Sequence, residues 1–435
     1  MTSAVAVPGR HGAFRSGRAW GFVGSVAVLL LVALAMAADT AVADTSLSGT
    51  SPAAPEVAGN ADAELWWHNA RQHLQANRPR AAIPYLDALL RGDPGNSDYR
   101  ADLGYALYLT GQFDRARYHL DRVLAGPLTD AQRRAVEALI EQIDHRRDWT
   151  VRLGLAVVPE SNPLRRTRAE VVSIGGMDFV LGPGALEASG TGLQLGADLA
   201  WAPWINPRLR GRFALSATGR FYRDSTLNDI ATRIEAGVLV PGDGGRMTGA
   251  GLSLQHRHAG GRTLNRGPGV YVTHQQRLSR QTSLSLRGEY ARLRYPGAPL
   301  RDGSRSGGEV TLSHAVSPRL SLHGSVIGWR TSSVADFETG TEIGLRFGGQ
   351  YTLEGGLTVA ADVTHLRNHR DGVAPLFGVR RQDERTDIRL RLQHSGLAAG
   401  GFVPVLELVQ ERQHSNIGLY RFTNRRVSMG LSRQY

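Results

Sequence analysis

The sequence predicts a membrane β-barrel of about fourteen antiparallel strands, preceded by a small all-α domain. Three observations carry this prediction. From residue 149 to residue 435, short segments alternate apolar and polar side chains. Turn-forming clusters break those segments at intervals of roughly forty residues, the length of two membrane-spanning strands of about ten plus their loops. Upstream of residue 149 the apolar period changes from two to that of helices.

Taken in chain order, residues 1–43 read as a secretory signal peptide. The only long apolar run begins at Phe22 and ends at Ala37. Arg10, Arg15 and Arg18 precede it, and Ala35-Met36-Ala37 and Ala41-Val42-Ala43 offer small-residue cleavage sites. An anchor helix would need a longer run. No second apolar run follows, as a chain bound for the outer membrane requires if it is not to be held in the inner one. Residues 44–60 are a linker containing Ser, Thr, Pro and Gly.

Residues 61–148 form the helical domain, on the periplasmic side of the expected barrel. Trp66, Ala82, Leu86 and Pro94 align with Arg100, Ala116, Leu120 and Pro127-Leu128. The offset is about 34 residues, the tetratricopeptide period. In the second copy Leu103-Gly104 allows two helices to approach closely, Gly111 marks the turn and Ala116 the tight crossing; the first copy has Ala70, Asn77 and Ala82 there. Trp66, Ala82, Leu103, Gly104 and Ala116 are therefore the expected packing residues. Residues 129–147 open on Thr-Asp and place Ala135, Leu139 and Ile143 on one stripe, as a capping helix would. Two repeats and a cap bury only a marginal core, so this unit is expected to lean on the barrel or on a partner. Its concave face suits an extended peptide; the plainer reading is a spacer.

Residues 149–435 form the barrel. Turn signals fall at Asn206-Pro207, Gly242-Asp243-Gly244, Ser279-Arg280, Ser317-Pro318, Glu354-Gly355-Gly356 and between Gly396 and Gly401. Six such turns separate seven hairpins, about fourteen strands with both barrel ends on the periplasmic side. Leu284, Leu286 and Tyr290 share one face, and Ser283, Ser285, Arg287 and Glu289 the other. Val359, Ala361 and Val363 likewise oppose Asp362 and Thr364, while Ile388, Leu390 and Leu392 oppose Asp387, Arg389 and Arg391. With Arg152 in the first strand, Arg287, Glu289, Asp362, Asp387, Arg389 and Arg391 are the candidate lumen-facing charges. A soluble β-sandwich also alternates. Charges on nearly every polar face favour a watery lumen instead, and Trp201, Trp204, Tyr222, Tyr295 and Trp329 near strand ends suggest interfacial girdles.

Composition narrows the function. The chain has no cysteine, which removes disulfides, thiol chemistry, thiolate metal sites and lipidation of the chain itself. The formal charge is +12, and every basic residue other than histidine is arginine. No basic cluster carries the stacking aromatics that nucleic-acid binding needs, so the arginines are expected to line a lumen or to meet lipid headgroups at the rims. His256 with His258 and His365 with His369, the latter near Asp371, lack a carboxylate cluster and nominate no metal. No serine lies in a Gly-x-Ser-x-Gly elbow, and no acid–base pair stands out. Neither an enzyme nor a cofactor is expected.

With signal, tetratricopeptide pair and barrel in that order, the chain resembles the surface lipoprotein assembly modulators, the Slam family of outer-membrane proteins. Pro159-Glu160-Ser161-Asn162-Pro163 resembles the family's acidic-Asn-Asn motif after the first strand. Arg412-Gln413-His414-Ser415-Asn416-Ile417-Gly418-Leu419-Tyr420 resembles its Ser-Asn-containing last outer loop. Residues 426–435 resemble its closing strand, ending on Tyr435, the expected signal to the barrel-assembly machinery. The departures are the proline after Asn162, the few repeats, and Tyr in place of the usual terminal Phe. Ser161, Asn162, Ser415 and Asn416 are the family-motif positions; ordinary turn chemistry is their alternative reading.

The resemblance implies delivery of cargo from periplasm to cell surface, the cargo being a surface lipoprotein or a secreted haem- or metal-scavenging protein. Expected partners are that cargo, periplasmic chaperones, the barrel-assembly machinery and outer-membrane lipid. The alternatives are an exopolysaccharide-export barrel, which usually carries a longer repeat array, and a passive porin with a helical spacer. Residues 160–190 and 368–381 are the expected outer segments for a plug or gate.

Overall fold

The computed structural model describes residues 60–146, 148–398 and 402–434. The signal-peptide expectation, most of the linker and Tyr435 lie outside the described residues.

Five helices come first: α1 (Asn60–Gln75), α2 (Pro79–Gly92), α3 (Ser97–Leu109), α4 (Phe113–Val123) and α5 (Asp130–Arg146). Their ends follow local chemistry. Pro79 opens α2, where a missing N–H costs nothing. Asn96 caps α3, its side-chain oxygen accepting from the Asp98 and Tyr99 amides at 3.1 Å each. Thr129 and Gln132 make a reciprocal capping box ahead of α5. The two within-repeat turns need a left-handed residue, supplied by Asn77 (φ 55°) and Gly111 (φ 77°) at equivalent repeat positions. Ala70, Ala82, Leu86, Leu103, Leu107, Ala116, Leu120, Val123 and Ile143 form the buried core, with Trp66 packed against it. A Cβ at Gly104 would lie 2.8 Å from Leu120 Cδ2, so glycine sets how closely α3 and α4 approach.

The strands follow: β1 (Trp149–Glu160), β2 (Val171–Ile174), β3 (Met177–Val180), β4 (Gly190–Trp201), β5 (Trp204–Asn206), β6 (Leu209–Tyr222), β7 (Asp229–Gly242), β8 (Arg246–Ala259), β9 (Arg262–Arg277), β10 (Thr282–Leu293), β11 (Gly303–Ala315), β12 (Leu320–Ser333), β13 (Gly340–Thr352), β14 (Leu357–Ala374), β15 (Val379–His394), β16 (Val403–Ser415) and β17 (Phe422–Gln434). Strands β2 and β3 form a separate hairpin within the long loop after β1. Setting aside the three-residue β5, the main sheet is an antiparallel meander of fourteen strands. It closes where β1, already paired with β4, also pairs with β17 from Arg152–Gln434 to Glu160–Arg426.

The register fixes the two faces. Leu155, Val157, Phe213, Leu252, Val270, Val310, Phe347, Val363, Ile388 and Met429 point outward and are exposed. An apolar belt on this scale is intelligible only against lipid hydrocarbon. Trp149, Trp201 and Phe213 stack in a row on the outer face at the helix-bearing end, with ring centroids 5.6 and 5.5 Å apart.

Two expectations are corrected. Tyr222 and Trp329 belong to no lipid-facing girdle: Tyr222 is buried inside the far mouth, where its hydroxyl meets Glu160 at 2.5 Å. Trp329 is the register partner of the inward Glu342, with the Arg305 guanidinium 4.3 Å from its ring centre. Trp204 instead anchors a helix, as described below. Residues 368–381 are not a long loop either. Strands β14 and β15 continue through them, with a register shift between His369 and Val373, and leave residues 375–378 as the turn.

Candidate translocation conduit

At the helix-bearing mouth the five-helix unit rests on the barrel turns. The C-terminal end of α5 is tied to the first turn: Trp204 Nε1 donates to the His145 carbonyl at 2.9 Å and its ring stacks on that imidazole at 4.8 Å. Arg210 adds bonds to the Asp144 carbonyl at 2.8 Å and to the Asp148 carboxylate at 2.9 Å. Further round the rim, Arg277 pairs with Asp121 at 2.7 Å, and Arg319 with Asp93 at 2.7 Å and Glu354 at 3.1 Å. Arg122 reaches the Pro318 carbonyl at 2.9 Å.

Beside these contacts the helical unit holds a cluster of buried titratable groups. Arg100 is buried, bonded to the Pro94 carbonyl, and burial lowers it to about 10. His119 is held well below its ordinary range, first by desolvation and then by the positive charges of Arg100, Arg115 and Arg122. Desolvation raises Asp87, against the opposing pull of Arg115 and Arg91.

Within the lumen, charges from distant strands join. Arg233 on β7 donates to Glu289 on β10 at 3.0 and 2.8 Å, and Arg287 on β10 returns to Glu235 on β7. Two strands lie between β7 and β10, so these bonds run across the inner surface. A cavity of about 210 Å³ opens beside them, lined by Arg152, Asp198, Arg212, Ser216, Arg233, Glu235 and Arg287. On other sectors the pairing is between nearer strands: Arg346 with Glu309 at 2.8 Å, His323 with Asp362 at 2.8 Å and Arg426 with Glu407 at 3.4 Å. Such a lining is polar and charged, as the interior of an outer-membrane barrel is.

The far mouth carries a buried network that crosses the closing seam. Arg257 pairs with Asp229 at 2.9 Å, Asp229 with Arg220 at 2.6 Å, and Arg220 with Glu160 at 3.2 Å. Glu160 also accepts from Asn424 Nδ2 at 2.6 Å, and Asn424 reaches Glu411 at 3.2 Å. Glu411 is then gripped bidentately by Arg165 at 2.7 and 2.9 Å. Arg165, in the left-handed region at φ 53°, belongs to the long loop after β1 and draws its start against the wall.

The model of the tetratricopeptide repeat matches residues 73–143. The model described as surface lipoprotein assembly modifier matches residues 149–435, more than half of the chain. The chain belongs to the surface lipoprotein assembly modifier family. Members are outer-membrane proteins, so the helical unit is periplasmic and the clasped far mouth faces outward.

No curated protein matches this modifier chain. Among solved structures it is similar to the CymD monoaromatic hydrocarbon channel at 11% identity, covering 68% of this chain and 91% of that one with a TM-score of 0.38. A bacterial polysaccharide outer membrane secretin is similar at 11% identity, covering 66% and 98% with a TM-score of 0.36. Pseudomonas aeruginosa OpdK with vanillate is similar at 12% identity, covering 66% and 99% with a TM-score of 0.37. At these TM-scores the likenesses say nothing about what this modifier barrel carries.

The sequence-derived positions distribute as follows. Arg152, Arg287, Glu289, Asp362, Asp387, Arg389 and Arg391 all stand on the inner face; Asp387 pairs with Arg385 at 3.2 Å, and Arg389 lies 4.0 Å from Glu407. The motif positions gather at the outer mouth. The Ser161 hydroxyl accepts from the Arg425 amide at 2.8 Å, and the Asn162 amide donates to Asn424 Oδ1 at 3.0 Å. Asn162 Nδ2 donates to the Arg166 carbonyl at 2.7 Å and, across the seam, to the Thr423 carbonyl at 3.2 Å. The Ser415 hydroxyl accepts from the Ile417 amide at 3.2 Å, while Asn416 brackets Gln382 and Arg380 at 2.9 and 2.8 Å. Asn162 and Ser415 are fully buried, so both act as loop scaffolding.

Sequence reasoning missed Glu160 as a hub, and with it Arg165, Arg220, Asp229, Glu411 and Asn424. For the strand residues among them, parity on the polar face was available as a signal; the mutual contacts were not.

Proposed function

We propose that this modifier barrel is the conduit for a surface lipoprotein, or for a secreted haem- or metal-scavenging protein, passing from periplasm to cell surface. The helical unit receives the cargo at the periplasmic mouth. The observation that carries the reading is the seating of a peptide-binding type of repeat unit directly on the turns of a family-assigned barrel. The paired charges of the inner wall, Arg389 and Asp387 among them, support passage of a polar or unfolded chain. The periplasm supplies no ATP, so cargo folding or assembly outside, aided by periplasmic chaperones, is the driving force in this proposal.

The test is a strain lacking the protein, complemented with the full chain or with a version missing residues 61–148. Loss of surface display of a lipoprotein in the null strain, and altered delivery with the truncated but inserted, heat-modifiable barrel, supports the reading. Unchanged display of every candidate cargo overturns it. Loss of surface polysaccharide instead would favour a polysaccharide exporter, and porin-like conductance with no cargo phenotype a passive pore.

A further inference from the structure

Most arginines of the barrel's outer end have an acidic partner. Arg257 takes Asp229, Arg330 takes Asp371 and Arg367 takes Glu384. Three neighbours on the lipid-facing wall of β9 and β10 do not. Arg266 on β9 and Arg294 just after β10 are joined by reciprocal backbone bonds of 3.0 and 2.8 Å, which set them side by side. Arg292 precedes Arg294 by two residues and so shares its face. The inward alternates Ala291 and Leu293 are buried, whereas Arg266, Arg292 and Arg294 are exposed. Among the described residues none of the three guanidiniums is ion-paired or hydrogen-bonded to a side chain. His256 on β8 is the register partner of Arg266 and adds an imidazole to the row.

The height of this row is set by its neighbours. Toward the midplane on the same face come Leu254, Val270, Tyr290 and Leu252, all exposed. The arginines therefore stand where the hydrocarbon belt ends and the headgroups of the outer leaflet begin. Three adjacent cations at that boundary repel one another unless an anion lies among them. A phosphate monoester carries a charge of about −1.5 to −2 and three strong acceptor oxygens, against a single charge on a phospholipid diester, and so matches three guanidiniums better.

We propose that Arg266, Arg292 and Arg294 form a binding site on the outer wall of the barrel for the sugar-linked phosphate monoester of an outer-leaflet glycolipid. The site lies outside the lumen and is independent of the cargo.

Native mass spectrometry of the full chain in detergent tests it, with bis-phosphorylated lipid A, its dephosphorylated form and phosphatidylglycerol as probes. The wild type is expected to hold lipid A roughly a hundredfold more tightly than the R266Q/R292Q/R294Q variant, about fivefold per arginine. Dephosphorylated lipid A and phosphatidylglycerol are expected to bind at the weak level throughout. A matched variant at the periplasmic turns, R208Q/R246Q/R280Q, should bind lipid A like the wild type. Arg266→Gln and Arg294→Gln alone, each about fivefold weaker, serve if the triple variant loses heat-modifiability. Binding by the outer-rim variants within about twofold of the wild type overturns the proposal. So does phosphatidylglycerol binding as tightly as lipid A, or an equal loss in the periplasmic-turn variant.

Discussion

The two mouths of the barrel are held by different balances of buried and exposed polar contacts. The outer mouth is fastened by the buried Glu160, Arg220, Asp229 and Asn424 and the half-buried Glu411, each with two or more partners and linked in series across the β1–β17 seam. The periplasmic mouth meets its helical unit through the buried Arg210 and Arg122, bonded to the Asp144 and Pro318 carbonyls, and through the pairs Arg277–Asp121 and Arg319–Asp93, whose carboxylates are about half exposed at 40% and 50%. A buried network resists loss of any member, because each departure strands a desolvated charge. Exposed pairs exchange readily with water and salt. The difference makes the outer closure a single linked unit, whereas the helical unit combines two buried anchors with pairs that salt can weaken.

The largest effect should come from breaking the outer network. Glu160→Ala removes the common acceptor of Arg220, Tyr222 and Asn424, and is expected to cost about 3–5 kcal/mol, read as a lower midpoint for loss of the heat-modifiable band in urea. A midpoint equal to wild type would reduce the network to ordinary surface pairing. Next is Gly104→Val, which drives a side chain into Leu120; roughly 1–3 kcal/mol should be lost from the helical unit, with the barrel midpoint unmoved.

A smaller effect should follow pH. His119 sits below its ordinary 6.5 in the folded chain, so the unfolded chain binds the extra proton first as pH falls. Its contribution is present above about 6.5 and declines below it. Protection factors of the α4 amides, which correct for the intrinsic slowing of exchange in acid, should therefore fall from pH 7 to pH 5, and His119→Gln should flatten that slope. The smallest effects belong to the exposed pairs. Asp93→Asn and Asp121→Asn should each cost less than about 1 kcal/mol, and salt should reproduce their loosening of the helical unit while leaving the outer network intact.

How much of this was legible depended on range in sequence. Alternation within β10, β14 and β15 and the six turn clusters are local, and they gave the barrel and its lumen face from residues such as Arg287 and Asp387. Asn77 and Gly111 occupy equivalent left-handed turns, so the repeat was legible too. The outer network was not, because Glu160 meets Asn424 across 264 residues of chain. Tyr222 and Trp329 show a subtler limit: nearness to a strand end gives height in the membrane, whereas parity with Arg220 or Glu342 decides the face. Residues 368–381 read as loop because His369-Arg370-Asp371-Gly372 is polar throughout, yet backbone pairing carries β14 and β15 beyond the bilayer.

The central claim, that cargo passes through the lumen, is open to a direct test because adjacent residues face opposite sides of one strand. Because the chain has no cysteine, Arg389→Cys and Ile388→Cys each offer a unique attachment point for a benzophenone cross-linker. In cells exporting a surface lipoprotein, cross-linking from position 389 should capture the cargo and that from position 388 should capture none. Capture from neither position, or equally from both, while display proceeds normally would contradict the account.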